Sequence, residues 1–171
     1  MKTIDKYIYK ALDYYPFNLE ETTESLDYAL SYDENNPTAL TLYGRLLSEQ
    51  LQNHEEAKVY FEKALAANIQ AIEVYLPFIE TLIKNEDYDQ AQKMIDFALK
   101  TKGTKKTPLM LKKVMLLEIF KKYKKALKTL KYIKSMVVDT DDNDLIEETE
   151  KRLKFKLRVN KKPEKEKKKK K

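Results

Sequence analysis

The chain has 171 residues, with 34 Lys and Arg against 28 Asp and Glu, two glycines, five prolines and no cysteine. This length supports one domain of ordinary size, and the missing cysteine excludes disulfide scaffolds, thiolate zinc sites and thiol nucleophiles. Two glycines and five prolines cannot punctuate many short strands, so we expect an all-α protein. The N-terminus carries charges throughout and no run reaches transmembrane length, which predicts no signal peptide, no membrane insertion and a cytoplasmic location.

The net charge of +6 is distributed unevenly along the chain. Residues 1–100 contain 9 basic and 18 acidic residues, residues 101–135 contain 12 and 1, and residues 160–171 contain 8 and 2. All but three of the basic residues are lysine, which offers a phosphate a point charge rather than the planar fork of arginine. The sequence therefore predicts an acidic N-terminal part and a basic C-terminal part.

One segment of the sequence recurs at an interval of 34 or 35 residues. Residues 55–65 (EEAKVYFEKAL) reappear as 89–99 (DQAQKMIDFAL), as 124–133 (KKALKTLKYI) and, in degenerate form, as 21–30 (ETTESLDYAL). Repeats of this length are single supersecondary units that stack on their neighbours. Four copies therefore indicate a tandem array, with repeats predicted at 1–36, 37–70, 71–106 and 107–142.

Apolar periodicity predicts two helices in each repeat. In chain order the predicted pairs are 3–15 and 19–32, 37–50 and 54–67, 71–84 and 88–101, and 107–120 and 122–137. Pro37 at a helix start and Gly103 after a helix end agree with these bounds. Pro77 lies inside one predicted helix, so that helix either bends there or starts late.

A ninth helix is predicted at 143–158, followed by a disordered, lysine-rich tail at 160–171 that cannot bury apolar surface. The helical repeat domain would then occupy residues 1–159. The apolar side of the ninth helix consists of Leu145, Ile146, Thr149, Leu153 and Leu157. This helix would cap the open apolar end of the array, or its other apolar residues, such as Phe155, would dock on a partner or a second copy.

Small and apolar residues occupy corresponding positions in successive repeats. In the second repeat they are Leu40, Tyr43, Gly44, Leu47, Ala57, Phe61 and Ala64. In the third repeat they are Tyr75, Phe78, Ile79, Leu82, Ala91, Ile95 and Ala98. The small residues let paired helices approach closely, while Phe61 and its equivalents fill the space to the next repeat. Over roughly residues 3–137 the pattern resembles the tetratricopeptide repeat (TPR) family.

The resemblance implies a right-handed superhelix of about four antiparallel helix-turn-helix repeats with a capping helix, acting as a non-catalytic scaffold or adaptor. Its concave groove would bind a peptide or partner protein through the first helix of each repeat. The predicted groove residues are Thr38, Thr41, Arg45, Ser48, Glu49, Glu73, Leu76, Glu80, Ile83 and Lys84. Leu76 and Ile83 would anchor an apolar ligand or pack under a neighbouring repeat, and both interpretations are open. The three glutamates favour a basic or neutral ligand.

The second helix of the fourth repeat supplies an alternative function. Its lysines are predicted on the solvent side, namely Lys121, Lys124, Lys125, Lys128 and Lys131. Together with the tail they could contact RNA, a ribosome, DNA or an anionic membrane. They could also attract the acidic part of a second copy, giving self-association.

Catalysis, cofactors and metals find little support in the sequence. The single histidine, His54, lies in a turn where later repeats have tyrosine, and spacing implies no serine or aspartate partner for it. An acidic stretch at 139–150 places Asp139, Asp141, Asn143 and Glu150 at calcium-loop positions. Asp144 replaces the glycine that such a loop needs, so we interpret the stretch as helix capping and expect no enzyme, cofactor or metal.

Overall fold

The structure of the chain, a computed structural model, describes residues 3–136 and 143–168, and the side chains of 4–136 and 143–160. Within these residues it contains nine α-helices and no strand, which confirms the all-α prediction. The helices are α1 (Thr3–Tyr14), α2 (Leu19–Tyr32), α3 (Pro37–Arg45), α4 (His54–Ala67), α5 (Tyr75–Lys84), α6 (Tyr88–Ala98), α7 (Lys106–Ile119), α8 (Tyr123–Met136) and α9 (Asn143–Lys168). No helix in the described part of the chain combines the length and apolar character that a bilayer crossing requires.

Two short turns of other helical types interrupt the pattern. A π-helical turn, Leu46–Gln50, continues α3, and a 3₁₀ turn, Ile72–Val74, precedes α5. Because α5 starts only at Tyr75, Pro77 falls in its first turn, where a backbone N–H has no intrahelical acceptor to lose. The helix therefore starts late, as one of the two sequence interpretations of Pro77 expected.

The chain divides into two compact units, which we call the N-terminal unit (Met1–Thr104) and the C-terminal unit (Lys105–Lys171). The N-terminal unit consists of three helical hairpins, α1 with α2, α3 with α4, and α5 with α6. Asparagine side chains cap the starts of α2, α3 and α4 by accepting a backbone N–H three residues later. The predicted repeat and domain boundaries and the superhelix stay predictions.

Close helix packing in the N-terminal unit depends on small residues. A Cβ at Gly44 would lie 2.9 Å from the ring of Phe61, so only glycine allows α3 and α4 to approach this closely. Phe61 is fully buried and its ring stacks on that of Phe78, with centroids 5.4 Å apart. The predicted role of Phe61, filling the space to the next repeat, is thereby confirmed.

In the C-terminal unit α7 and α8 form a hairpin, and α9 packs on α8. The buried core of this unit consists of Val114, Leu117, Tyr123, Ala126, Leu130, Ile133, Ile146 and Leu153. The carboxylate of Glu118 accepts two hydrogen bonds from Arg152, at 2.9 and 3.0 Å, and one from Lys156 at 2.8 Å. Apolar contact and ion pairs together therefore hold the first half of α9, which covers the apolar side of the α7–α8 hairpin.

The last helix is longer than expected. It begins at the predicted residue, but the backbone stays helical to Lys168, whereas we predicted a helix ending at 158 and disorder from 160. The disorder prediction is therefore wrong for 160–168. Lysine and glutamate are good helix formers, and extending a helix already held by packing costs much less than starting one.

Candidate functional site

Three of the predicted groove residues are buried rather than exposed. Thr41 is 5% exposed, Ser48 1% and Ile83 7%. The hydroxyl of Thr41 donates to the carbonyl of Pro37 at 2.6 Å, which allows this polar side chain to be buried. The π turn changes the helical period after Arg45, so a regular 3.6-residue pattern misplaces Ser48. For Ile83, the packing interpretation is the correct one.

A first polar network joins α3 and its π turn to the residue that follows α1. The Tyr15 hydroxyl donates to the Glu49 carboxylate, and Arg45 donates to the same group through Nε at 2.9 Å and Nη2 at 3.3 Å. The Arg45 guanidinium also lies 5.0 Å from the centre of the Tyr15 ring. Burial alone would raise the pKa of Glu49, but the hydrogen bonds from Arg45 and Tyr15 outweigh it and lower that pKa. Arg45 and Glu49 therefore satisfy each other as a neutral pair.

A second network joins the π turn to α4 and α5. The Ser48 hydroxyl accepts a hydrogen bond from Thr81 at 2.8 Å and lies 3.1 Å from Nδ1 of His54. His54 thus has a serine partner, contrary to the sequence prediction, because the turn brings residues 48 and 54 together. Burial and the nearby Lys84 charge lower the pKa of His54. Since Ser48 is buried and hydrogen-bonded on both sides, this contact links helices rather than presenting a nucleophile to solvent.

The remaining predicted groove residues are exposed or half-buried. Thr38 and Glu73 meet at 3.5 Å between α3 and the 3₁₀ turn, and Lys84 lies close enough to lower the pKa of Glu49. Leu76 and Glu80 are half-buried on α5. We define the groove face as the seven residues that stay accessible, namely Thr38, Arg45, Glu49, Glu73, Leu76, Glu80 and Lys84.

Three polar contacts between repeats share a sequence spacing that the sequence analysis missed. Tyr15 and Glu49 are 34 residues apart, Thr38 and Glu73 are 35 apart, and Ser48 and Thr81 are 33 apart. Each sequence separation is close to the length of one repeat, so in these three pairs nearly equivalent positions of adjacent repeats contact each other. Polar residues separated by 33 to 35 positions were the signal that could have found Tyr15 and the Ser48 contacts.

All five predicted polyanion contacts on α8 and the turn before it are exposed. Lys121, Lys124 and Lys125 line a shallow pocket of about 400 Å³, with Lys122, Tyr123, Leu157 and Asn160 around them. Lys128 and Lys131 line a second shallow pocket of about 490 Å³, together with Met110, Thr129, Tyr132 and Ser135. The predicted lysine surface is therefore solvent-accessible along its length.

The predicted calcium positions are only partly covered by the structure. Asp139 and Asp141 lie outside the described residues, while Asn143 and Asp144 are the first two residues of α9. Within the described ranges, no group of three or more histidine and acidic side chains is placed to hold a metal ion. Glu150 instead binds Lys134 at 2.5 Å and also Lys154.

No protein-family model matches the chain, and no curated protein matches it by sequence. Solved structures do match. Pseudomonas aeruginosa PilF superposes with a TM-score of 0.79 at 18% identity over 91% of this chain and 69% of its own. PilW, a type IV pilus biogenesis factor, gives 0.74 at 19% identity over 92% and 78% of the two chains. TTC0263, a TPR protein of Thermus thermophilus, gives 0.69 at 15% identity over 91% and 83%.

Identities below 20% identify the fold and not the role. The fold of this chain is the helical repeat fold of TPR proteins, which confirms the resemblance drawn from Gly44, Phe61 and their equivalents.

Proposed function

We propose that the chain is a non-catalytic interaction scaffold that binds a peptide or partner protein on the groove face of the N-terminal unit. Stacked helical hairpins present extended surfaces of this kind, and the solved structures of the same fold include repeat proteins. The observation that carries the proposal is the bonding between repeats at one-repeat spacing, from Tyr15 to Glu49 and from Ser48 to Thr81. These bonds fix neighbouring first helices relative to each other, which favours a preformed binding surface.

The charge of the groove face favours a basic or neutral ligand. Arg45 and Glu49 neutralise each other, and the other charged groups of the face are the carboxylates of Glu73 and Glu80 and the single amine of Lys84. The contact between Thr38 and Glu73 is long for a hydrogen bond, so the Glu73 carboxylate can accept from a ligand at little cost. Lysine, arginine or backbone N–H groups of a peptide are the donors that suit it.

Leu76 is the apolar contact that we assign to this surface. It is half-buried on α5, with Glu80 four residues further along the same side of the helix and Glu73 three residues earlier in the 3₁₀ turn. A ligand with a basic residue beside an apolar one would match this arrangement.

A cytoplasmic location is part of the proposal. Assembly of pili is not, because the likeness to PilF and PilW concerns the fold alone.

A peptide-binding experiment tests the groove face with a charge-matched control. The test variant is Glu73→Lys with Leu76→Asp, and the control is Glu24→Lys with Val59→Asp, which places the same changes at exposed positions of the second helices α2 and α4. The probes are arrays of short basic, neutral and acidic peptides, with hits measured by fluorescence anisotropy. Circular dichroism confirms that both variants are folded.

We expect the wild-type chain and the control to retain basic or neutral peptides, and the test variant to bind them at least about tenfold more weakly, since it reverses one charge and removes the apolar contact. Equal losses in both variants would place binding elsewhere. A preference for acidic peptides would contradict the proposed ligand chemistry.

A further inference from the structure

The helix α8 carries charge of one sign only. Its 14 residues include five lysines and no acidic residue. Tyr123, Ala126, Leu130 and Ile133 are buried in the core of the C-terminal unit, so the lysines lie on the opposite, solvent-facing side. Like charges three and four residues apart destabilise a helix slightly, and packing of the buried side offsets this cost.

Two acidic groups of the C-terminal unit already bind other cations. Glu118 binds Arg152 and Lys156, and Glu150 binds Lys134 and Lys154. We define the lysine face as five exposed lysines on α8 and in the turn before it, namely Lys121, Lys124, Lys125, Lys128 and Lys131. The C-terminal unit as a whole has 24 basic and 10 acidic residues, so its field attracts anions from a distance.

The spacing of the lysine face suits a linear polyanion. Lys124, Lys128 and Lys131 follow one another along one side of α8. From the first to the third they span about 10 Å of the helix axis, at about 1.5 Å per residue. A strand stacked as it is in a duplex carries a phosphate about every 3.4 Å along the helix axis, so more than one phosphate can face these amines at once. A partner with one or two carboxylates would leave most of the amines unneutralised.

We infer that the lysine face binds the phosphate backbone of a single-stranded nucleic acid without base recognition. Tyr132 is 56% exposed and lines the same shallow pocket as Lys128 and Lys131, where its ring can stack on a base. Lysine offers a point charge rather than the planar fork of arginine, which suits phosphates and makes the contact insensitive to sequence. A lipid surface is the weaker candidate, because the apolar side of α8 is buried in the core and cannot insert.

Fluorescence anisotropy with labelled uridine and deoxythymidine 20-mers tests the inference on the full chain at 50 and 200 mM salt. Three variants each lower the net charge from +6 to +1 by five Lys→Gln changes. The test variant is K121Q/K124Q/K125Q/K128Q/K131Q. The first control is K6Q/K63Q/K93Q/K100Q/K102Q, at exposed positions of the N-terminal unit. The second control is K167Q/K168Q/K169Q/K170Q/K171Q at the C-terminal end.

If all five amines contact phosphates, the logarithm of the wild-type affinity should fall with that of salt at a slope of about −3.5, which is about 100-fold between the two salt concentrations. We expect the test variant to bind at least about tenfold more weakly and with a shallower slope, and both controls to stay within about twofold of wild type. A test variant that binds like wild type overturns the inference, and so does a loss that only the C-terminal control shows.

Two further measurements test a membrane and a second copy of the chain as alternative partners of the lysine face. Wild-type chain that sediments with phosphatidylserine vesicles but binds neither oligonucleotide would make the lysine face a membrane contact. Self-association in sedimentation velocity that the test variant abolishes, again without oligonucleotide binding, would make it a contact with the acidic part of a second copy. Either result overturns the inference and leaves the proposal for the groove face untouched, since that surface is tested with peptides.

Discussion

The two units are built from the same helical hairpin but use their polar residues in different ways. In the N-terminal unit, polar side chains of neighbouring repeats bond to one another, as Tyr15 does to Glu49 and Ser48 to Thr81. In the C-terminal unit, ion pairs at Glu118 and Glu150 hold the last helix, while the lysine face stays open to solvent. One unit therefore presents an internally bonded surface, and the other presents unneutralised charge.

The difference shows which residues specify the hairpin and which are free to vary. Phe61 and Leu130 occupy equivalent positions in the second and fourth repeats, and both are buried. The charge around them is opposite, since residues 1–104 contain 10 basic and 18 acidic residues and residues 105–171 contain 24 and 10. Burial of apolar and small side chains thus fixes the fold, and surface charge can diverge without disturbing it.

The largest expected effect comes from emptying these equivalent core positions. Phe61→Ala should lower the free energy of unfolding of the N-terminal unit by about 3–5 kcal/mol, and Leu130→Ala that of the C-terminal unit by about 2–5 kcal/mol. Hydrogen exchange read by mass spectrometry can assign each loss to a region. We expect Phe61→Ala to raise exchange in α3 to α6, and Leu130→Ala to raise it in α7 to α9.

The comparison of the two units would fail if either variant raised exchange equally along the whole chain, because the hairpins would then unfold as one cooperative structure. The conservative changes Phe61→Leu and Leu130→Val are the matched controls. Each removes less volume, so each should raise exchange less and in the same unit as the alanine variant.

The sequence predicted the fold well because the fold depends on local periodicity. Helix bounds agree to within three residues for most elements, since apolar spacing, asparagine caps and Gly44 all act within one hairpin. The late start of α5 and the helical extension to Lys168 were harder, because propensity and packing compete at helix ends.

The candidate site was only partly predictable. The first helices and several exposed residues were placed correctly, but Thr41, Ser48 and Ile83 are buried. A regular helical wheel cannot anticipate the π turn, and contacts between repeats depend on positions about 34 residues away. Comparing each polar residue with its equivalent in the next repeat would have recovered the bonded pairs, although not their distances.

A smaller effect is expected where α9 is held by charge. The side chain of Glu118 is only 10% exposed and binds both Arg152 and Lys156. Glu118→Gln should therefore lower the free energy of unfolding of the C-terminal unit by about 1–2 kcal/mol, less than a fully buried ion pair because both cations are half exposed. Urea unfolding followed by circular dichroism measures the loss, and hydrogen exchange should locate it in α9.

The matched control for Glu118 lies on α9 itself. Glu147 pairs with Lys151 at 4.0 Å with both side chains exposed, so Glu147→Gln should cost less than about 0.5 kcal/mol. Equal effects of the two substitutions would mean that Glu118 contributes no more than a surface charge, and that apolar contact alone holds α9 in the C-terminal unit.

The smallest expected effect is the pH dependence of the stability that Glu150 of α9 contributes. Hydrogen bonds from Lys134 and Lys154 lower the pKa of Glu150 from 4.5 to about 2. A lowered pKa means that the stabilisation is complete above pH 4.5 and is lost as the pH falls through about 2. The wild-type chain should thus lose stability between pH 6 and pH 3, and Glu150→Gln should lose less by a margin below about 1 kcal/mol, because the pair is near the surface.

Urea unfolding of wild type and of Glu150→Gln at pH 6 and pH 3 gives the stability that each protein loses in acid. The margin is the difference between these two losses. Other carboxylates with lowered pKa values, including Glu49 and Glu118, titrate in both proteins and cancel. The same comparison with Glu49→Gln tests the N-terminal unit. Glu49 pairs with Arg45 on the same helical segment, so the stability that acid removes there comes from an ion pair of the groove face. If Glu150→Gln and wild type lose the same stability, the Lys134 contact does not help to hold α9, and apolar packing with the Glu118 pairs must account for its position.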